Sequence, residues 1–305
     1  MAANTYGKVS GTFRQINNIY VKVSGTWREV DEGYAKVSGV WRQVFVAFVA
    51  TAFVTKSSGS GTFTVPQGAN AIHIQAAVGG GGGGLRGVDY DKAGGESAGS
   101  GGGSGAYVSD KIFSVNEGET LSYSIGAAGV KNNGAYSNSG GSNGGNTTLS
   151  GSSSGSIFTL TGGTYARITS NGGVQGPLRQ NTNGVAGTAT ISGTSITSGT
   201  FKNSSGVDQN VTSNTSGPVG AFNRSGNGAN GVYKGNCSGD NCGIVGGAGG
   251  ASFAGAIAGG TGQNPGVVNG TRGSGGGGGS SNAGGGPAAS DGGAGQIIYR
   301  FLRVQ

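Results

Sequence analysis

The chain is poor in the residue types that most enzymes and metal proteins use. It has one histidine, two cysteines and five prolines in 305 residues, and only 10% of its residues are charged. A Ser-His-Asp triad would require His73, and no nucleophile motif accompanies that residue. A zinc site needs more ligands than Cys237 and Cys242 have nearby. We therefore expect no catalytic residue, cofactor or metal.

Dense charge and long apolar runs are also missing. The formal net charge is +7, but the cations are scattered, which gives little support to a nucleic-acid partner. The apolar run at 44–54 is too short to cross a bilayer as a helix. No basic segment followed by an apolar core marks a signal peptide at the N-terminus. We expect neither nucleic-acid binding nor membrane insertion.

The two cysteines leave two interpretations open. Cys237 and Cys242 are separated by Ser-Gly-Asp-Asn. This spacing fits a small disulfide loop if the mature protein meets an oxidising exterior. It fits two free thiols equally well.

Glycine is the residue that the chain has in abundance, with 72 copies. Each glycine inside a helix costs roughly 0.5–1 kcal/mol relative to alanine, so the tracts are not helical. Proline is scarce and no Gly-X-Y period exists, which excludes collagen. A flexible linker is the simplest alternative. Strand-like apolar runs that interrupt the tracts argue against it.

Apolar runs predict strands at 71–78, 106–115, 120–125 and 296–302, with a turn at 116–119. We expect the terminal strand to pair near the strand at 71–78. The glycine tracts between the strands fit an extended, left-handed conformation with three residues per turn, like polyproline II. Buried amides in such segments must bond to neighbouring segments. The stretch at about 146–245 is rich in Ser, Thr and Asn, and we interpret it as a β-rich excursion whose role the sequence leaves open.

A 14-residue unit occurs three times between residues 6 and 44, as Tyr-x-Lys-Val-Ser-Gly-x-aromatic-Arg-x-Ile/Val. Alternating character on both sides of Ser-Gly predicts a β-hairpin for each unit. The repeat is either a local duplication that forms an ordinary β-meander or three units that match a three-fold partner surface. Large aromatic residues suit partner contacts. The predicted docking residues occupy one repeat position: Phe13, Trp27 and Trp41.

The fold prediction is therefore all-β with extended polyglycine-II-like segments. N-terminal β-hairpin repeats occupy 1–50, and a glycine-rich sandwich occupies 51–305.

The order of the motifs resembles phage tail-fibre and tail-tip proteins that carry a glycine-rich adhesin domain. The opening Thr-Phe-Thr-Val-Pro-x-Gly at 62–68, the middle Gly-Gly-Ser-Gly-Ala-Tyr-Val at 102–108 and the ending Gly-Gly-Ala-Gly-Gln-Ile-Ile at 292–298 carry the resemblance. The 14-residue units resemble N-terminal repeats of such proteins. The resemblance implies a protein of the virion tail, made in the host cytoplasm. In some members, loops between polyglycine-type helices touch the host surface.

This resemblance predicts an adhesin that binds a host surface protein or glycan and joins other virion proteins through its N-terminal repeats. Binding residues usually lie on loops held by a rigid scaffold, and Tyr and Arg are favoured there. The candidates interrupt the glycine tracts: Arg86, Asp89, Tyr90, Lys92, Lys131, Tyr136, Arg179, Tyr233 and Lys234. The alternative is a purely structural virion component. A polysaccharide depolymerase is disfavoured, because it needs paired carboxylates that the chain scarcely offers.

Overall fold

The computed structural model describes residues 6–9, 12–15, 19–30, 32–86, 99–133, 140–170, 180–182, 184–211, 249, 273 and 289–305. All regular secondary structure in these residues is β, and none of them is helical. The predicted all-β class is confirmed.

The N-terminal repeats form three separate antiparallel hairpins, as predicted. Each hairpin is a two-stranded sheet of its own. The strands are β1 (Tyr6–Val9), β2 (Thr12–Gln15), β3 (Tyr20–Val23), β4 (Thr26–Glu29), β5 (Glu32–Val37) and β6 (Val40–Val46).

The turns of the second and third hairpins have the same geometry. Ser24 and Gly25 have φ values of 50° and 85°, and Ser38 and Gly39 have 51° and 84°. Positive φ at both central residues defines the two-residue type I′ turn, whose twist matches that of the flanking strands. Glycine fits the second position because it adopts positive φ without steric cost.

The body contains two larger antiparallel sheets. One has the order β10-β9-β19-β7, and the other has the order β16-β13-β12-β11-β8. Two further hairpins, β14–β15 and β17–β18, are separate two-stranded sheets. The strands are β7 (Val54–Lys56), β8 (Ser60–Thr64), β9 (Ala71–Val78), β10 (Tyr107–Ser114), β11 (Thr120–Ser124), β12 (Thr147–Gly151), β13 (Gly155–Leu160), β14 (Arg167–Ser170), β15 (Gln180–Thr182), β16 (Ala189–Ile191), β17 (Thr200–Lys202), β18 (Asp208–Asn210) and β19 (Gln296–Leu302).

The C-terminal strand occupies the middle of its sheet. β19 pairs with β9 from Gln296↔Val78 to Leu302↔Ala71, and with β7 on its other side. The predicted pairing of the terminal strand with the strand at 71–78 is therefore confirmed. Strands near both ends of the glycine-rich region join one sheet.

A hydrophobic core lies between the two larger sheets, which together are called the sandwich below. Ile72 and Phe113 come from one sheet, Leu121 and Phe158 come from the other, and all four are fully buried. Burying each such side chain contributes roughly 1.5–3 kcal/mol. A second cluster lies where Phe201 of β17 packs with Leu302 and Ile112.

Candidate functional site

The glycine tract at 79–86 continues from β9 and bonds to its neighbours with a period of three residues. The amides of Gly79, Gly82 and Leu85 donate to carbonyls of segment 99–106 at 2.8 Å each. The amides of Gly80 and Gly83 donate to segment 140–146. Every third residue thus faces the same neighbour.

The remaining amides of this tract follow the same rule. Gly81 and Gly84 donate to carbonyls of segment 289–295. A three-residue period is what an extended strand with three residues per turn produces. The left-handed polyglycine II conformation itself stays a prediction.

The carbonyls of the central tract are also paired. Gly80 and Gly83 accept from the amides of Gly163 and Ala166, in segment 161–166. The carbonyls of Gly81 and Gly84 accept similarly from Gly129 and Asn132, in segment 126–132. Five described segments therefore surround 79–86. With 184–188, which bonds to 99–106 and 161–166, these segments are called the glycine lattice below.

Glycine is required in the lattice because the backbones approach each other too closely for a side chain. A Cβ on Gly79 would lie 2.6 Å from the Thr161 carbonyl oxygen. A Cβ on Gly83 would overlap the carbonyl of Val130, and one on Gly102 would overlap that of Gly82. The contacts are with backbone atoms, which a rotamer change does not relieve.

Chain direction gives the lattice two distinct ends. Segments 79–86, 126–132 and 161–166 leave the sandwich strands β9, β11 and β13. The other four segments run back into sandwich strands: 99–106, 140–146, 184–188 and 289–295. All seven segments therefore have one end at the sandwich and the other at the opposite end of the lattice, called the distal end below.

The structure brings two predicted contact residues together at the distal end. The amide of Arg86 donates to the Asn132 carbonyl at 2.9 Å, next to Lys131 in the chain. The Lys131 amide donates to the Asp291 carboxylate at 2.8 Å. Both cationic side chains are half-buried. Hydrogen bonds of backbone amides thus bring Arg86, Lys131 and Asp291 of three lattice segments next to one another.

Sequence reasoning missed a neighbouring pair at the same end. The Arg167 guanidinium lies over the Tyr165 ring, 5.4 Å from its centroid. Arg167 is exposed, and Leu85, Ala166 and Ile168 form a small buried cluster beneath this region. The signal was present, because Tyr165 and Arg167 interrupt a stretch of small polar residues.

The predicted docking residues Trp27 and Trp41 are each 66% exposed. Trp27 pairs with Lys22 across the hairpin, and Lys22 Nζ lies 5.9 Å from its ring centroid. Phe13 has the same register position opposite Lys8. The three aromatic residues are therefore equivalent in strand register.

The only histidine is engaged in a structural network. Its Nδ1 accepts from Arg300 Nε at 3.2 Å, and its Nε2 lies 3.5 Å from the Asp110 carboxylate. Burial lowers the pKa of His73, the nearby Arg300 charge lowers it further, and Asp110 opposes both. Arg300 also lies over the rings of Phe53 and Phe201, at 4.5 and 5.3 Å. The network joins a residue before β7, a residue of β17 and three residues of the β10-β9-β19-β7 sheet.

A family comparison covers most of the chain. The sequence model of the glycine-rich domain matches residues 55–302, which is most of the chain. The chain belongs to the glycine-rich domain family. Within the domain, the match begins in β7 and ends with β19, so it includes the sandwich and the lattice. No curated protein resembles the chain closely enough to be matched to it.

Several predicted contact residues of the glycine-rich domain lie outside the described residues. They are Asp89, Tyr90, Lys92, Tyr136, Arg179, Tyr233 and Lys234, and the same holds for Cys237 and Cys242. Residues 87–98 and 134–139 connect pairs of lattice segments, and 171–179 connect β14 to β15. The described ends of these connections lie at the distal end.

The described residues lack both a metal-binding cluster and a membrane-spanning helix. No group of three or more His, Cys, Asp or Glu side chains there is placed to hold a metal ion. The same residues contain no helix long and apolar enough to span a membrane.

Proposed function

We propose that this protein is a bacteriophage tail-fibre or tail-tip adhesin. The glycine-rich domain presents its distal end to a host surface protein or glycan, and residues 1–50 attach the chain to other virion proteins. The observation that carries the proposal is the glycine lattice. It holds the ends of seven chain segments together at one end of the domain. Rigid scaffolds that display loops are a common basis of recognition.

The distal end has side chains suited to recognition. Arg86, Lys131 and Arg167 supply positive charge, and Tyr165 supplies an aromatic surface. Arginine and tyrosine offer large contact areas with hydrogen-bonding ends. The connecting stretches add Tyr90 and Tyr136 in sequence. This combination fits a polar or anionic host surface better than an apolar one.

Binding rather than catalysis is part of the proposal. His73 is bonded to Arg300, which leaves its Nδ1 unable to accept a substrate proton while that bond lasts. Residues 51–305 hold nine of the twelve acidic residues, with few close pairs for glycoside hydrolysis. We propose that the protein is made in the host cytoplasm and then joins the virion tail.

A competition assay tests the proposal. Purified full-length protein, added to susceptible cells before phage, should reduce phage adsorption in a saturable manner. Alanine substitution of Tyr90, Tyr136 or Tyr233, one at a time, should weaken that effect without changing the melting temperature. Lys56→Ala, at a half-buried sandwich position beside Tyr123, is the matched control and should compete like the wild type.

The alternative function is a purely structural role in the tail tip, baseplate or head fibre. Protein that joins particles through residues 1–50 but neither binds cells nor competes with phage would establish that alternative. Normal incorporation of a chain lacking residues 1–50 would instead contradict the attachment half of the proposal.

A further inference from the structure

The N-terminal hairpins keep a tyrosine, a lysine and a second aromatic residue on one face in every copy. Residues two apart on a strand share a face, and directly paired residues across an antiparallel hairpin share it as well. Tyr20, Lys22 and Trp27 therefore lie on one face of the second hairpin. In the third hairpin, Lys36 pairs with Trp41, and Tyr34 precedes Lys36 by two residues. These two sets, with Tyr6, Lys8 and Phe13 of the first hairpin, are called the aromatic–lysine faces.

The aromatic–lysine faces of the second and third hairpins are exposed. Trp27 and Trp41 are equally exposed, at 66%, and Tyr20 and Tyr34 are 49% and 54% exposed. Val21 on the opposite face is 45% exposed. Contiguous exposed apolar surface of this kind marks interaction sites. An isolated two-stranded hairpin is also marginally stable in water, so a partner surface would stabilise it.

Hairpin folding does not explain why each face keeps a tyrosine, a lysine and a second aromatic residue. A type I′ turn requires positive φ at both central residues, which favours glycine, but it does not require an exposed tryptophan or tyrosine. Other positions of the unit have diverged, such as Gly7, Val21 and Ala35 at one place in the repeat. Recent duplication alone would have left these positions alike as well. Val23 and Arg28, which lie on the opposite face by strand register, also recur in every copy. The exposed rings make the aromatic–lysine face the one suited to a partner contact, because large aromatic side chains favour such contacts.

Charge indicates what kind of surface the partner has. Residues 1–50 contain six Lys or Arg and three Asp or Glu. Like charges repel, so a second copy of the same face is a poor occupant. A surface with acidic residues around an apolar patch complements both the lysine and the aromatic ring.

The spacing of the hairpins restricts where the partner sites lie. Gln15 ends the first hairpin and Tyr20 begins the second; Glu29 and Glu32 bound the next connection. Five residue steps span at most about 18 Å of extended chain, and three steps span about 11 Å. Neighbouring sites must therefore be adjacent on one assembly.

We propose that the three hairpins occupy three equivalent acidic, apolar-lined sites on one virion partner, which must present the same site at least three times. This inference rests on the proposed virion attachment through residues 1–50. Each hairpin binds weakly by itself, and the short connections make the second and third contacts intramolecular. Avidity then supplies the affinity of the whole segment.

The test uses purified full-length protein and phage particles assembled without it. Phe13→Lys, Trp27→Lys and Trp41→Lys are measured singly and in pairs by co-sedimentation. Each single change should lower the affinity at least about tenfold, by a similar factor for each hairpin, and each pair should lower it further. Val207→Lys, at a 56% exposed valine in the β17–β18 turn, is the matched control and should bind normally.

A second series of variants distinguishes loss of binding from unfolding of the altered hairpins. Lys8→Glu, Lys22→Glu and Lys36→Glu keep the aromatic residues and reverse only the charge. They should weaken binding by similar factors, and the loss should shrink at high salt because exposed charges are screened.

The outcomes separate the two proposals. Wild-type binding with a loss confined to one hairpin would overturn the three-site inference and leave virion attachment intact. Failure of the wild type to bind particles would overturn attachment, and the three-site inference with it. Self-association that Trp27→Lys abolishes would place a second copy on the faces and would also overturn the inference.

Discussion

At the scale of single residues, the backbone packing of the domain requires positions without a side chain as well as buried side chains. The amides of the central tract reach neighbouring carbonyls at 2.8–3.4 Å because glycine leaves no Cβ between them. Polar side chains replace backbone partners elsewhere. Asn146 Oδ1 accepts from the Gly162 amide, and Asn143 Oδ1 accepts from the Tyr165 amide, each at 3.1 Å. The residues at 162 and 165 again differ by three.

Gly83→Ala should destabilise the domain strongly. Its Cβ would overlap the Val130 carbonyl, and both backbones are held by lattice hydrogen bonds. We expect the free energy of unfolding to fall by at least about 3 kcal/mol in chemical denaturation. Gly61→Ala is the control, because its Cβ would meet only the Tyr123 side chain, at 3.1 Å. Equal stability of the two variants would contradict the packing account.

Glu119 should make the fold sensitive to acid. Its buried carboxylate accepts from the amides of Asn116, Ser153 and Ser154 and from the Ser154 hydroxyl. Burial alone would raise the pKa of Glu119, but these hydrogen bonds, led by Ser154, hold the pKa below its usual range. The carboxylate therefore stabilises the fold fully above the unfolded pKa of about 4.3, and this stabilisation is lost as pH falls through the lower folded pKa.

Glu119→Gln should cost about 2 kcal/mol of unfolding free energy at neutral pH, because charge-assisted hydrogen bonds are lost. The difference from wild type should shrink below about pH 4.3. Urea denaturation at several pH values measures both effects. A difference that does not change with pH would show that the carboxylate charge is unimportant.

At the scale of elements, β19 joins three parts of the molecule. Its Arg300 stacks with Phe53, which precedes β7, and with Phe201 of β17. The Phe301 amide donates to Thr51 Oγ1 at 2.9 Å, and the Thr51 amide donates to the Phe301 carbonyl at 3.1 Å. The chain leading from the N-terminal hairpins is thus fixed to the β10-β9-β19-β7 sheet. His73 in β9 accepts from Arg300 and supports this junction.

Protonation of His73 should weaken the junction. Burial and the Arg300 charge lower the pKa of His73, so the unfolded chain binds the proton more readily than the folded one. The stabilisation is complete above the unfolded pKa of about 6.5 and is lost as pH falls from there toward the lower folded pKa. His73→Gln keeps an acceptor for Arg300 without a titratable group. Its stability between about pH 5 and pH 7 should therefore change less than that of the wild type. Parallel pH profiles of the two proteins would refute this role.

At the scale of the whole molecule, the sequence predicted individual strands and hairpins better than it predicted which of them lie side by side. The 14-residue period predicted the hairpins, and apolar runs predicted β9, β10, β11 and β19. These features depend on local alternation and turn chemistry. Glycine runs resemble one another, so the sequence does not show which tract lies beside which. The strands β12, β13 and β16 share a sheet with β8 and β11. The composition of the Ser/Thr/Asn-rich stretch, which contains the first three, does not indicate this pairing.

The candidate site was predictable only in part. Arg86 and Lys131 were identified because charged residues interrupt glycine tracts, but their proximity depends on the lattice. Arg167 also interrupts a polar stretch, but its place at the distal end depends on the lattice, which the sequence does not show. The remaining predicted contact residues lie outside the described residues, so their role stays a prediction.

The glycine segments form a rigid framework between the sandwich and the distal end. Amide hydrogen exchange of the full-length protein, followed for residues 79–84, tests this claim directly. All six amides donate to carbonyls of other segments. They should therefore exchange only through opening events nearly as costly as global unfolding. Exchange at the rate of an unfolded chain would mean that the tract is a flexible linker, and the framework would be refuted.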